Sequence, residues 1–310
     1  MNFLRSIHDW RERRVAIREI KKFEQADEED LAKSDANPLH LAELAIRSNN
    51  NMDAAVYWED ARIRMPNHIL ESDRSKQILL ALGRFDEFEA LMKKGLLKSP
   101  RSNQYMIGLA QLYEHRQDFD QAAVWWLKIH KIFRNDRHAY IFGAACLQKL
   151  NRLQEAATLL KTGTLYLPSD DAIWIELAKI KEEAQEWTSS LDVWDHVAYT
   201  MGHALGYVGG ARVCEATGDF DGALKRLREG YVRHPCDADL LAASARQAER
   251  RGNLSEAAEF WKIMRLLFPS RDTSCREEVR CLLLGGRVDD ANTILAEAAR
   301  RFPGEFPDSA

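Results

Sequence analysis

The sequence is short of everything that interrupts a helix and of most things that build an active site. Only 8 prolines and 16 glycines occur in 310 residues, and frequent Ala, Leu, Glu, Lys and Arg favour helix. The five cysteines, Cys146, Cys214, Cys236, Cys275 and Cys281, form no CxxC pair. Their odd number fits neither a disulfide framework nor a zinc module and points to a reducing compartment. No stretch approaches the roughly 18 consecutive apolar residues of a membrane span, and the first residues lack the apolar core of a secretory signal. The expected location is therefore cytoplasmic. A net charge of -4 leaves no basic surplus for displacing counterions from phosphate, which argues against a general nucleic-acid binder.

Catalytic patterns are missing too. The nine histidines lie scattered without HExxH spacing, and neither GxSxG nor GxGxxG occurs. Glu182-Glu183 and Glu277-Glu278 read as charged helix faces, since acid–base work needs two carboxyls converging on one cleft. The expectation is a non-enzyme with no cofactor and no metal.

What is present is a period. Pro66, Pro100, Pro168, Pro235, Pro269 and Pro303 stand on one lattice, with gaps of 34, 68, 67, 34 and 34. The long gaps are near-doubles, with Arg134 and Gly202 in the missing places, so eight units result. Counting back from each lattice point reveals columns. Slot -12 is small: Ala54, Ala122, Ala156, Ser190, Ala223, Ala257 and Ala291, with Phe88 the exception. Slot -15 is large and apolar from Phe85 to Val288, and slot -24 is alanine in six units, broken by Lys76 and Val279. Turn pairs such as Gly83-Arg84, Asn151-Arg152 and Gly252-Asn253 lie between. Each unit thus reads as two helices joined by a tight turn. Alanine lets the helices approach, glycine or asparagine supplies a left-handed cap, and proline ends the second helix.

Two further columns alternate. Slot -8 holds Trp58, Trp126, Trp194 and Trp261 in odd units but Met92, Leu160, Leu227 and Leu295 in even ones. Slot -5 holds Ala61, Ile129, Val197 and Met264 in odd units against Gly95, Gly163, Gly230 and Ala298 in even ones. A building block of two repeats follows, with the tryptophans in core slots and the glycines in close packing. Repeat 2 departs most: Ser72, Ser75 and Lys76 predict a shortened or rotated first helix. Gly202, Gly206, Gly209 and Gly210 predict a bend or soft joint between repeats 5 and 6.

These units resemble tetratricopeptide repeats, whose pattern W-x2-L-G-x2-Y, A-x3-F, P is echoed by Met106, Leu109, Ala110, Tyr113, Ala122 and Trp126, and by Trp174, Leu177, Ala178, Ser190 and Trp194. The resemblance implies an all-α, right-handed superhelical solenoid of stacked helix-turn-helix repeats. Residues 35–303 would form eight repeats (35–68, 69–102, 103–136, 137–170, 171–203, 204–237, 238–271 and 272–303), followed by a short tail, 304–310. Residues 1–34 precede them. Within 1–23, Phe3, Ile7, Trp10, Ile17 and Ile20 share one side of a basic helix, which reads as a cap on the first repeat or as a contact for a membrane surface or partner. No equivalent cap follows repeat 8, so either its outer face is polar enough alone or something covers it, for which self-association through that end is one expectation.

In this family first helices line a groove, and the resemblance places slots -30, -27, -23 and -20 inside it. Slot -23 then gives a basic ladder, Lys179, Arg212, Arg246 and Arg280, preceded by Gln111 in repeat 3. Glu182, Glu215 and Glu249 stand three residues after the first three and could form i,i+3 pairs with them. Arg250, Arg276 and Arg280 look less paired and would be anchors, while Ile107, Ile141, Ile175, Leu205 and Val208 could take peptide side chains. The implied function is a scaffold binding a protein or peptide partner with acidic groups. The alternatives are an accessory module of polysaccharide or envelope assembly, suggested by the closing Ala299-Arg300-Arg301-Phe302-Pro303, and, less favoured, nucleic-acid binding through the arginines. The groove slots lack the asparagines of domains that clamp chaperone tails.

Overall fold

The computed structural model describes residues 37–302. The segment 1–36, the tail and Pro303 lie outside the described residues. Among the described residues every element is helical, and the chain divides into two compact units between Phe133 and Arg134. The first unit stacks three hairpins: α1 (Pro38–Arg47) with α2 (Asn51–Arg64), α3 (His68–Glu71) and α4 (Asp73–Ala81) with α5 (Phe85–Lys98), and α6 (Asn103–His115) with α7 (Phe119–Ile132). The second stacks five. They are α8 (Arg137–Lys149) with α9 (Leu153–Tyr166), α10 (Asp171–Glu183) with α11 (Trp187–Asp195), α12 (Ala204–Ala216) with α13 (Phe220–Arg233), α14 (Ala238–Arg250) with α15 (Leu254–Leu267), and α16 (Asp272–Leu284) with α17 (Val288–Arg301). The fold is an all-α helical-repeat solenoid.

One backbone device makes every hairpin. Slot -17 has positive φ in all eight repeats, at Asn49, Gly83, Gln117, Asn151, Gln185, Gly218, Gly252 and Gly286. The following amide reaches back to the carbonyl five residues earlier, as from Arg84 to Leu79 and from Asn253 to Ala248, both 2.9 Å. This left-handed cap satisfies the end of the first helix and turns the chain into the second. Slot -15 is the first residue of each second helix from α5 to α17. Four second helices, α2, α7, α13 and α15, are also capped by an Asn or Asp side chain, as at Asp219, which accepts from the Gly222 amide at 2.9 Å.

The small columns sit where the two helices touch. Ala54, Ala122, Ala156, Ala223, Ala257 and Ala291 are fully buried. Where Ser190 replaces alanine, its hydroxyl donates to the carbonyl of Ala178 in slot -24 at 3.0 Å, so a polar atom is tolerated because it finds a partner. The four tryptophans of slot -8 are 1–3% exposed, which makes them core and not a stacking platform. The even-repeat glycines face aromatic rings: a methyl on Gly95 would lie 2.6 Å from the Tyr105 ring, and one on Gly163 2.9 Å from that of Tyr140.

Repeat 2 is broken as its polar residues predict. Ser72 adopts an extended conformation between α3 and α4, and Ser75 is fully buried, its hydroxyl without a partner among the described residues. The joint between repeats 5 and 6 differs from the expected soft bend. The end of α11 widens into a π-helical turn, His196–Thr200, and Gly206 and Gly209 press against the Ala198 backbone and the Trp194 indole. These glycines permit close approach, so the joint is tightly packed.

Candidate functional site

The predicted ladder lies on first helices of the second unit, and Lys179, Arg212, Arg246 and Arg280 are all exposed. Their pairing differs from the i,i+3 scheme. Lys179 holds Glu176 at 2.7 Å. Arg212 reaches back across the repeat boundary and donates twice to Glu182, at 2.9 Å each. Arg250 pairs with Glu215, and Arg280 with Glu249 and Glu277, both at 2.6 Å. Arg276 pairs with Asp272 at 2.8 Å. The three expected anchors Arg250, Arg276 and Arg280 are therefore already engaged. The reason is geometric: side chains about 30 residues apart on neighbouring first helices stand closer than their sequence separation suggests, and a carboxylate there competes with one on the same helix.

Arg246 is the exception: exposed, with no hydrogen bond or ion pair among the described residues. It opens into a cleft between α12 and α14 lined by Val208, Ala211, Arg212, Ala243 and Arg250, with Glu215 on its wall. Three guanidinium groups thus meet around an apolar floor. Val208 and Leu205 are half-buried, as is Ile141 on α8. Ile175 corrects the expectation for its slot. At 8% exposure it has almost no surface left for a peptide side chain. In the first unit Ile107 is half-buried on α6 and Gln111 is exposed.

The carboxylates of this face have a second set of donors. In three odd repeats the slot -8 indole donates to the glutamate twelve residues before it: Trp126 to Glu114 at 2.6 Å, Trp194 to Glu182, and Trp261 to Glu249 at 2.9 Å. Repeat 1 has Ile46 in that slot, and its Trp58 turns to Glu87 at 3.5 Å. Burial raises the Glu249 carboxyl, but hydrogen bonds from Arg280, Trp261 and Cys281 outweigh it and hold the group below its ordinary value. Burial and the bond to Glu249 together push the Cys281 thiol up to about 12, so it is unreactive at neutral pH. This Trp–Glu pairing escaped the sequence reading. Its signal was present as a glutamate in slot -20 wherever slot -8 is tryptophan, from repeat 3 on.

Among the described residues no helix is long and apolar enough to cross a membrane, and no group of His, Cys, Asp and Glu could hold a metal ion. No family model and no curated protein matches the chain. Solved structures do. YrrB, described as a TPR protein with an unusual peptide-binding site, is 15% identical over 58% of this chain and 93% of its own, with a TM-score of 0.39. PilF of Pseudomonas aeruginosa is 12% identical over 65% and 92%, at 0.45. PilW, a type IV pilus biogenesis factor, is 17% identical over 66% and 96%, at 0.47. Among its own described residues, eight capped helical hairpins make the chain an array of helix-turn-helix repeats.

Proposed function

We propose that the chain is a non-catalytic scaffold that binds a partner protein through an extended acidic segment laid across the first helices of its second unit. The observation that carries this reading is Arg246, an unpaired guanidinium beside two paired ones over an apolar floor. Arg212 and Arg250 are each matched by one glutamate, so Arg246 adds the uncompensated positive charge. A carboxylate would pair with it, and flanking aliphatic groups would cover Val208 and Ala243. Pairing by Glu182, Glu215 and Glu249 also weakens the nucleic-acid reading, because a neutralised arginine releases few counterions.

The test is fluorescence anisotropy with labelled peptides carrying spaced glutamates, against the same peptides with lysine in those places. The expected result is binding of the acidic set alone, weakened at least tenfold by Arg246→Glu, which is about 1.4 kcal/mol. Equal affinity of the variant and the wild type would discredit this cleft as the anchor.

A further inference from the structure

One amide in the buried columns has no reason within the fold. Slot -22 is Leu, Ile, Val or Cys in every other repeat, from Leu44 to Cys281, but is Gln247 in repeat 7. Gln247 is 1% exposed. Its Nε2 reaches the Phe220 carbonyl at the long distance of 3.5 Å, and its buried Oε1 has no partner among the described residues. Exchanging the two amide atoms would set oxygen against oxygen, so the acceptor is the unmet atom. A buried acceptor without a donor is destabilising, and the residues of this slot in the other repeats avoid it.

Gln247 lines a recess bounded by α13, α14 and α15, on a different face of α14 from Arg246. One turn away, the Ser244 hydroxyl, in a residue 7% exposed, also makes no hydrogen bond among the described residues. The other walls are apolar: Leu224, Ala248, and Tyr231 set edge-on to Phe260 with ring centroids 5.5 Å apart. Arg228 stands at the rim, exposed and without an ion pair among the described residues. The recess has about 310 Å³ of free space with its mouth included, but a water-sized sphere can move through only about 30 Å³ of it. The floor therefore admits a polar tip of one or two heavy atoms, while a larger apolar body stays between the walls of the mouth.

We infer that this recess is a binding site separate from the cleft at Arg246, and that it takes a hydroxyl carried on an aromatic ring: a phenol, free or as the tyrosine side chain of a partner. The phenolic O–H donates to Gln247 Oε1 and its oxygen accepts from the Ser244 hydroxyl, so one atom satisfies both unmet groups. The ring lies in the mouth against Leu224, Tyr231 and Phe260, where edge-to-face aromatic contact is favourable. A carboxylate or phosphate is kept from the floor because its oxygens would face the lone pairs of Oε1. An ammonium group is opposed by Arg228. On a partner chain, Arg228 favours an acidic residue next to the tyrosine.

Ligand-observed NMR on the whole chain tests this with p-cresol and toluene, probes that differ by the hydroxyl alone. p-Cresol is expected to bind, and toluene at least tenfold more weakly, because the analogue leaves the polar groups of the floor unmet. Gln247→Leu installs the residue that slot -22 holds in repeats 1 and 3, so the variant is expected to fold. It should lower p-cresol affinity at least tenfold without weakening toluene. Arg246→Glu is expected to leave both probes unaffected, which separates this site from the acidic-segment cleft. Equal binding of the two probes would overturn the assignment, as would p-cresol binding unaltered in Gln247→Leu. Absence of p-cresol binding would overturn it too, leaving water alone to meet Gln247. A peptide with tyrosine between two glutamates identifies the source. Tighter binding than p-cresol, weakened by Arg228→Glu, assigns the site to a partner's tyrosine, and weaker binding assigns it to a free phenol.

Discussion

Single atoms decide several joints of this molecule. At Gly209 a methyl group would enter the Trp194 indole, and that ring is itself buried at 2% exposure. Gly209→Ala is expected to destabilise by about 1–3 kcal/mol, the usual cost of overpacking, measured by urea unfolding. Glu89 makes a different case. A hydrogen bond from Lys93 at 2.6 Å outweighs its burial and, with bonds from Tyr113 and Arg116, holds its carboxyl at about 2. A carboxyl depressed in the folded state contributes stability that is complete above its ordinary value of 4.5 and is lost as pH falls through about 2. The stability gap between wild type and Glu89→Gln is therefore expected to be constant near neutrality, to shrink below pH 4.5 and to close near pH 2. A gap that does not change between pH 6 and pH 2.5 would contradict this account.

At the scale of the element, the repeated hairpin depends on one left-handed residue. Glycine fills that position four times, while Gln117 and Gln185 hold it at φ 60 and 58 degrees. A residue with a Cβ is strained there by about 1–2 kcal/mol, part of which glycine's greater freedom when unfolded returns. Gln185→Gly and Gln117→Gly are each expected to raise stability by about 0.5–1 kcal/mol, seen as a higher denaturation midpoint. Repeat 2 has the most interrupted first helix, split at Ser72, with the Ser75 hydroxyl buried and without a partner among the described residues.

At the scale of each compact unit, stability is shared between neighbours, because a hairpin completes its core on the next one in that unit. Local opening should then follow the quality of each joint. Amides of α3 and α4 are expected to exchange with deuterium before those of α12 and α14, and protection of equal depth in both would refute a graded array. The Trp–Glu–Arg clasps at Glu182 and Glu249 tie an odd repeat to the even one after it. They give physical content to the two-repeat period of slots -8 and -5.

The repeat was legible because proline, glycine and alanine act through local backbone geometry. Pro66 or Gly252 means nearly the same thing in any helical hairpin. The burial of the tryptophans was legible for the same reason, since slot and periodicity fix the face of a helix. The ion pairs were not. Arg212 has Glu215 one turn away, yet it bonds to Glu182 in the repeat before. Ile175 shares its slot with Val208 but is more deeply covered by its neighbours.

The sequence by itself determined the period, the hairpin, the turn residue and the inward faces, because each follows from interactions within about one turn of helix. Only the tertiary structure decided which arginine stays free and which glutamates are taken. Those choices depend on distances between side chains 30 or more residues apart, which are set by how one hairpin lies upon the next.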